Sequence, residues 1–270
     1  MQVGVSTASL FMRKNNEDAL PLFNTLGVKT AEVFLTSFSE YGTKFGEFLA
    51  QRKGNVHINS VHALNTEFEP QLFSAHTRVR DDAYFWAGKV LETANALGAK
   101  YYTFHGLSRV KRASRSGVND DFAWLGDGFA RLTEFCKNRD VTLCLENVEW
   151  STYNRPGVFE KISKQVPDLK GVLDIKQARI SEYPYEFYLD EMAEKIAYVH
   201  LSDIDENGRI CLPGKGIFDL ETLIKRLKGV GFDGNLLLEV YNQNYKEEQE
   251  LKLACDYVNE LLDQNNCLSK

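Results

Sequence analysis

Short apolar runs alternate with longer amphipathic segments along the whole chain. The short runs are Val3 to Ser6, Thr30 to Leu35, Val56 to His62, Lys100 to His105, Val141 to Glu146, Gly171 to Ile175, Ile196 to Leu201 and Asn235 to Val240. Each has about the length of a buried parallel strand. The stretches from Val141 to Leu145 and from Asn235 to Leu238 are apolar without strict alternation, as strands covered on both faces should be. Between the runs, apolar positions recur at helical spacing. Examples are Asp81 to Leu97, closed by Gly98, and Phe122 to Lys137, followed by Asn138, Arg139 and Asp140.

Eight strand and helix units in 270 residues have the size and order of an α/β fold closed as a (β/α)8 TIM barrel. No Gly/Ser-rich linker or composition shift divides the chain, so the pattern predicts a single domain over 1–270. An open doubly wound sheet is the competing arrangement. Its Gly-rich phosphate turn is missing after the first run, where the chain reads Ser6, Thr7, Ala8, Ser9.

Composition narrows the partners. Lys and Arg total 32 against 38 acids, a net charge of −6, which gives no global reason to expect nucleic acid or an anionic membrane. The first residues lack the features of a secretory signal, and no apolar run is long enough to span a bilayer. The expectation is a soluble, cytoplasmic protein. Cys136, Cys144, Cys211, Cys255 and Cys267 show no metal-ligand spacing and read as reduced thiols, Cys144 as core packing.

The chemistry-bearing residues collect near the ends of the predicted strands: His62, His105, Glu146, Asp174, His200 and Glu239. In a parallel barrel all strand carboxyl ends share one face, so residues far apart in sequence converge there. Any single carboxylate at such a place can equally cap a helix or pair with a base. Glu146, Asp174, His200 and Glu239 together offer three carboxylates and an imidazole, a set suited to one divalent cation with positions left open for substrate. Without a cation the carboxylates repel one another and one takes up a proton. Mn²⁺, Co²⁺, Zn²⁺ and Mg²⁺ all suit such ligands.

The runs Leu145 to Val148, Leu173 to Gln177, Val199 to Asp203 and Leu238 to Val240 resemble the sugar phosphate isomerase/epimerase family of the xylose-isomerase-like TIM-barrel superfamily, over nearly the whole chain. The resemblance implies a metal-dependent isomerase or epimerase acting on a sugar or polyol ketone, with Glu146 and Glu239 as metal ligands and also as acid and base. It implies proton abstraction beside a carbonyl and an enediolate, a route shared with related dehydratases. Asp174 and His200 then serve mainly as ligands, and His62 and His105 line the substrate pocket.

Endonuclease IV belongs to the same superfamily and is the alternative from another class, a phosphodiester hydrolase. His62 and His105 match its first-metal histidines, which leaves a second metal at His62, His105 and Glu146 open. Gln177, Gly208 and Ile210 stand where its third-metal ligands are expected. A non-catalytic sugar-binding barrel is the third reading.

Several further residues carry two readings each. Lys176, two positions after Asp174, shares its inward side if the strand continues, and reads as a substrate contact, as a base with a lowered pKa, or as a charge partner for the carboxylates. Arg209 resembles a substrate-binding arginine of ketose epimerases, or is an exposed turn charge. Lys215, between two glycines, reads as a cation placed near an anion or as part of a plain turn. Trp150, just beyond Glu146, reads as a pocket residue, whereas Phe34, Phe38, Tyr41, Phe68, Phe73 and Trp124 read mostly as packing. Arg109, Lys111, Arg112 and Arg115 form a basic loop that can grip a phosphate or simply be solvated, and a neutral sugar is the favoured ligand. The expected partner is thus a small sugar or polyol, with no nucleic acid or membrane. The oligomeric state is left open, a homo-oligomer included.

Overall fold

The computed structural model describes residues 1–64, 66–108 and 121–267. The basic loop residues Arg109, Lys111, Arg112 and Arg115 lie outside the described residues.

The eight apolar runs form eight barrel strands: β1 (Gln2–Ser6), β2 (Thr30–Leu35), β3 (His57–Ala63), β4 (Tyr101–Phe104), β5 (Thr142–Glu146), β6 (Lys170–Asp174), β7 (Ile196–Leu201) and β10 (Asn235–Leu238). Neighbours pair in parallel, and β10 closes the ring by pairing with both β7 and β1. A small antiparallel hairpin, β8 (Asp203–Ile204) with β9 (Ile210–Cys211), follows β7. The described helices are α1 (Asn16–Leu26), α2 (Thr43–Ala50), α3 (Thr77–Leu97), α4 (Phe122–Lys137), α5 (Val158–Gln165), α6 (Ile175–Ile180), α7 (Tyr185–Met192), α8 (Leu220–Gly229) and α9 (Gln249–Cys267). None of the described helices is long and apolar enough to cross a membrane.

The expected strands are all present, with ends that move by one or two residues. β6 stops at Asp174, so Lys176 is not in a strand. The Asp174 carboxylate accepts the backbone N–H of Gln177 and caps α6 at once, which ends the extended run before Ile175. α3 begins at Thr77, a turn before the expected Asp81, because its first buried residue is Ala83 and the apolar residue of its first turn, Val79, is exposed.

Two separate cores follow from the strand period. Outward-facing strand residues pack against the helices in one large shell. Inside the barrel, Cys144, Val172, Ala197, Tyr198 and Leu237 form a second cluster. Side chains two apart on a strand share a face. Inward Cys144, Val172, Tyr198 and Leu237 therefore bring Glu146, Asp174, His200 and Glu239 onto the barrel axis one layer higher. The register sets Asp174 opposite His200 on neighbouring strands.

Candidate active site

Six side chains from six strand ends meet at the carboxyl face of the barrel, and all are buried. His200 is central. Its Nδ1 lies 2.8 Å from Glu146 Oε1, 3.3 Å from Glu239 Oε2 and 3.8 Å from Asp174 Oδ2. One ligand atom from each of these four residues lies within 4.8 Å of every other. His62 and His105 adjoin the group, their Nε2 atoms 3.0 Å apart, and His105 Nε2 is 3.0 Å from Glu146 Oε2. Gly106 then turns the chain away with φ +80°, and a Cβ there would meet Thr152 Oγ1 at 2.4 Å, so a larger residue after His105 is excluded.

Lys176 enters the cluster from the first turn of α6. Its Nζ donates to Glu239 Oε1 at 2.8 Å and lies 3.5 Å from Asp174 Oδ2, with 3 % of the residue exposed. Asn147 anchors the neighbouring strand: its Nδ2 donates to the Asp174 carbonyl at 2.9 Å and its Oδ1 accepts from the Asp174 N–H at 2.8 Å. Gln177 lines the pocket, with its Oε1 accepting from the Glu149 N–H at 3.3 Å.

The electrostatics follow from burial opposed by close charge. Burial penalises the carboxylate of Glu146, but His200 and His105 outweigh it and hold the group well below its usual range. Glu239 is lowered too, with burial opposed by His200 and Lys176. Asp174 goes the other way, because burial is only partly offset by Lys176 and His200. His200 is raised: burial disfavours its charge, yet Glu239, Glu32 and Glu146 surround it. For His105, burial is overcome by Glu146 and Glu69, which push it up to about 10. Lys176 is raised against its burial by Asp174 and Glu239, so the expectation of a base with a lowered pKa fails: the carboxylates around it outweigh its desolvation.

The donor set passes a direct test of fit for a cation. Asp174 Oδ2 and Glu239 Oε2 are buried and have no hydrogen-bond partner among the described residues, and both sit on the side of His200 Nδ1. Buried carboxylate oxygens without a hydrogen bond are costly, and the looser contacts to Lys176 at 3.5 Å and His200 at 3.3 Å offset that only in part. A divalent cation, if bound by Glu146, Asp174, His200 and Glu239, would remove that cost.

Above the cluster opens a cavity of about 270 Å³, with His62, His105, Glu146, Lys176, Gln177 and Glu239 in its floor. Phe11, Phe34, Leu64, Val148, Trp150 and Tyr241 contribute apolar walls. The Phe34 ring lies 4.8 Å from His62 and the Trp150 ring 5.3 Å from His105. A larger groove of about 740 Å³ beside α6 and α7 contains none of the cluster residues.

The sequence-predicted site residues are thus brought together with one exception. Arg209 lies in the hairpin turn with its side chain 75 % exposed, paired with Asp205 at 2.8 Å, and does not line this cavity. A five-residue turn closed by the Asp205 carboxylate holds it outward. Lys215 lies in a turn whose flanking Gly214 and Gly216 both donate to Asp203.

Sequence reasoning missed Glu32 and Glu69. Both are fully buried, Glu32 against His62 and His200, Glu69 against His105 and Tyr102. An acid in the middle of the apolar run Thr30 to Leu35 was the signal for Glu32. Glu69 lies in a short 3-10 turn after β3, where the local pattern carries no such mark.

Comparison with known proteins agrees with this architecture. No curated protein sequence matches significantly. Among solved structures, a D-tagatose 3-epimerase-like protein superposes with a TM-score of 0.81 at 17% identity, covering 100% of both chains. The D-psicose 3-epimerase of Clostridium cellulolyticum H10, solved with D-tagatose, gives 0.77 at 16% identity over 97% of this chain and 99% of its own. The IOLI protein, solved with a zinc atom, gives 0.74 at 16% identity over 97% and 96%. The sequence profile of the xylose isomerase-like TIM barrel family matches residues 21–261. By that match and by its closed eight-stranded barrel, this chain belongs to the xylose isomerase-like TIM barrel family.

Proposed function

We propose that this chain, as one domain over 1–270, is a divalent-cation-dependent isomerase or epimerase of a small sugar or polyol ketone. The observation that carries the proposal is the buried set Glu146, Asp174, His200 and Glu239, convergent within 4.8 Å on the floor of a cavity. Structures of the same fold that contain D-tagatose or a zinc atom support a sugar and a cation as ligands. The cavity of about 270 Å³ is smaller than the usual drug-sized pocket, which suits a monosaccharide.

Those four residues would hold the cation. A cation there supplies a Lewis acid that polarises a carbonyl and its neighbouring hydroxyl. Glu146 and Glu239, both lowered, are ionised at neutral pH and can accept a proton from the carbon beside that carbonyl. Return of the proton by a carboxylate to the opposite face of the same carbon inverts it, whereas return to the neighbouring carbon moves the carbonyl. Lys176 fixes one oxygen of Glu239 and leaves the other toward His200. His62 and His105 face the cavity floor and position hydroxyls, and Trp150 with Phe34 packs against a sugar ring.

The test is removal and return of the cation. Exhaustive chelation should abolish turnover on a panel of ketoses, inososes and their phosphates, and one equivalent of Mn²⁺, Co²⁺, Zn²⁺ or Mg²⁺ should restore it. Glu146→Gln with verified cation occupancy should retain little turnover. Full activity in verified metal-free protein would contradict the proposal.

A further inference from the structure

Glu32 has no part in the proton transfer above, yet its carboxylate ties the barrel interior to two pocket histidines. It sits midway along β2, with 0 % of the residue exposed. Ser6 Oγ donates to Oε1 at 3.0 Å, Ser60 Oγ donates to Oε2 at 2.8 Å, and Thr103 Oγ1 donates to Oε2 as well. Those hydroxyls solvate the carboxylate but do not explain why an acid occupies this position, since an apolar residue would fill it without the cost of burying a charge.

The remaining contacts point to a reason. Glu32 Oε1 lies 3.3 Å from His62 Nδ1 and 3.0 Å from His200 Nε2. The His200 contact is not aligned as an ideal hydrogen bond, and Nε2 has no better-placed partner among the described residues. The opposite nitrogen, Nδ1, faces Glu146, Glu239 and Asp174. A carboxylate accepts and does not donate, so it favours N–H at Nε2 and leaves Nδ1 free to act as a ligand. Histidines that bind metals donate their other N–H to such a group in most known sites.

We propose that Glu32 is a positioning residue that fixes the ring of His200, and through the same oxygen that of His62, so that His200 presents Nδ1 to the cation-binding set. The proposal rests on the cation reading above but uses an atom that reading does not. It assigns Glu32 a role in ligand orientation, not in proton transfer to substrate.

Zn²⁺ is the probe, used on the full chain with competition against a chromophoric chelator. Glu32→Gln should weaken Zn²⁺ binding about 10- to 100-fold. In zinc-loaded wild-type protein with nitrogen-labelled histidine, NMR should find the His200 proton on Nε2, shifted downfield and protected from exchange with water. In Glu32→Gln that resonance should move upfield and exchange faster, a change that general loosening of the barrel does not confine to one imidazole.

Unaltered zinc affinity in folded Glu32→Gln overturns the proposal. Should that variant not fold, the wild-type spectrum decides alone: a proton on Nδ1, or a freely exchanging Nε2–H, overturns it. Wild-type protein that binds neither Zn²⁺ nor Mn²⁺, with an Nε2–H that still depends on Glu32, retires the cation reading and supports the positioning of His200.

Discussion

At the scale of single residues, Lys176 decides how charge is shared. Its ammonium contacts Glu239 and Asp174, two of the residues proposed to hold the cation. Breaking a buried ion pair by deleting one partner leaves the other charge uncompensated, at a cost of about 3–5 kcal/mol. Lys176→Met should therefore destabilise the metal-free protein by that order in urea unfolding. It should also raise divalent-cation affinity several-fold in a chelator competition, because a like charge has been removed from beside the cation. Weaker cation binding in this variant would contradict the assignment. The closeness of Lys176 to the carboxylates was legible in the sequence, but for the wrong element: helix α6 delivers it, not strand β6. Arg209 shows the converse, a residue matched by position whose local turn directs it outward.

At the scale of elements, the strands were readable because apolar runs report burial on both faces, and their inward alternation carried four of the site residues with them. What the pattern could not show is where side chains replace backbone partners. Asp203 is the clearest case. Its buried carboxylate accepts the N–H groups of Ile204, Gly214, Gly216 and Phe218 and so shapes the whole connection after β7. Asp203→Ala leaves these donors without that acceptor, a loss on the order of 3 kcal/mol if water does not replace it. Amide exchange should accelerate over 204–218 and stay slow in β5 and β6. Uniform acceleration across the barrel would show that the carboxylate serves global stability and not this connection. Glu69 was illegible for a related reason, since its partners His105 and Tyr102 come from another strand and leave no local periodicity, whereas Glu32 was marked as an acid within an apolar run.

At the scale of the whole molecule, Glu32, Glu69, Glu146, Asp174 and Glu239 are buried around Lys176 and three histidines, so the interior gathers charge that its neighbours must offset. Glu146 and Glu69, opposed by burial, hold His105 at about 10, above its unfolded value of about 6.5. A folded pKa above the unfolded one contributes stability that is complete below pH ~6.5 and is lost as pH rises through about 10. Urea unfolding of metal-free protein should show that decline, and His105→Gln should flatten it. A decline of the same size in the variant would assign it to other groups. The central claim is that Glu146 and Glu239 move a proton to and from the carbon beside the substrate carbonyl. Turnover of a converted ketose by cation-loaded protein in D₂O tests it most directly, read by NMR and mass spectrometry of recovered sugar. The account predicts deuterium at the carbon whose configuration or oxidation level changes, and none elsewhere. Product formed without deuterium, and unlabelled recovered substrate, in an enzyme whose catalytic carboxylates exchange with solvent would contradict it.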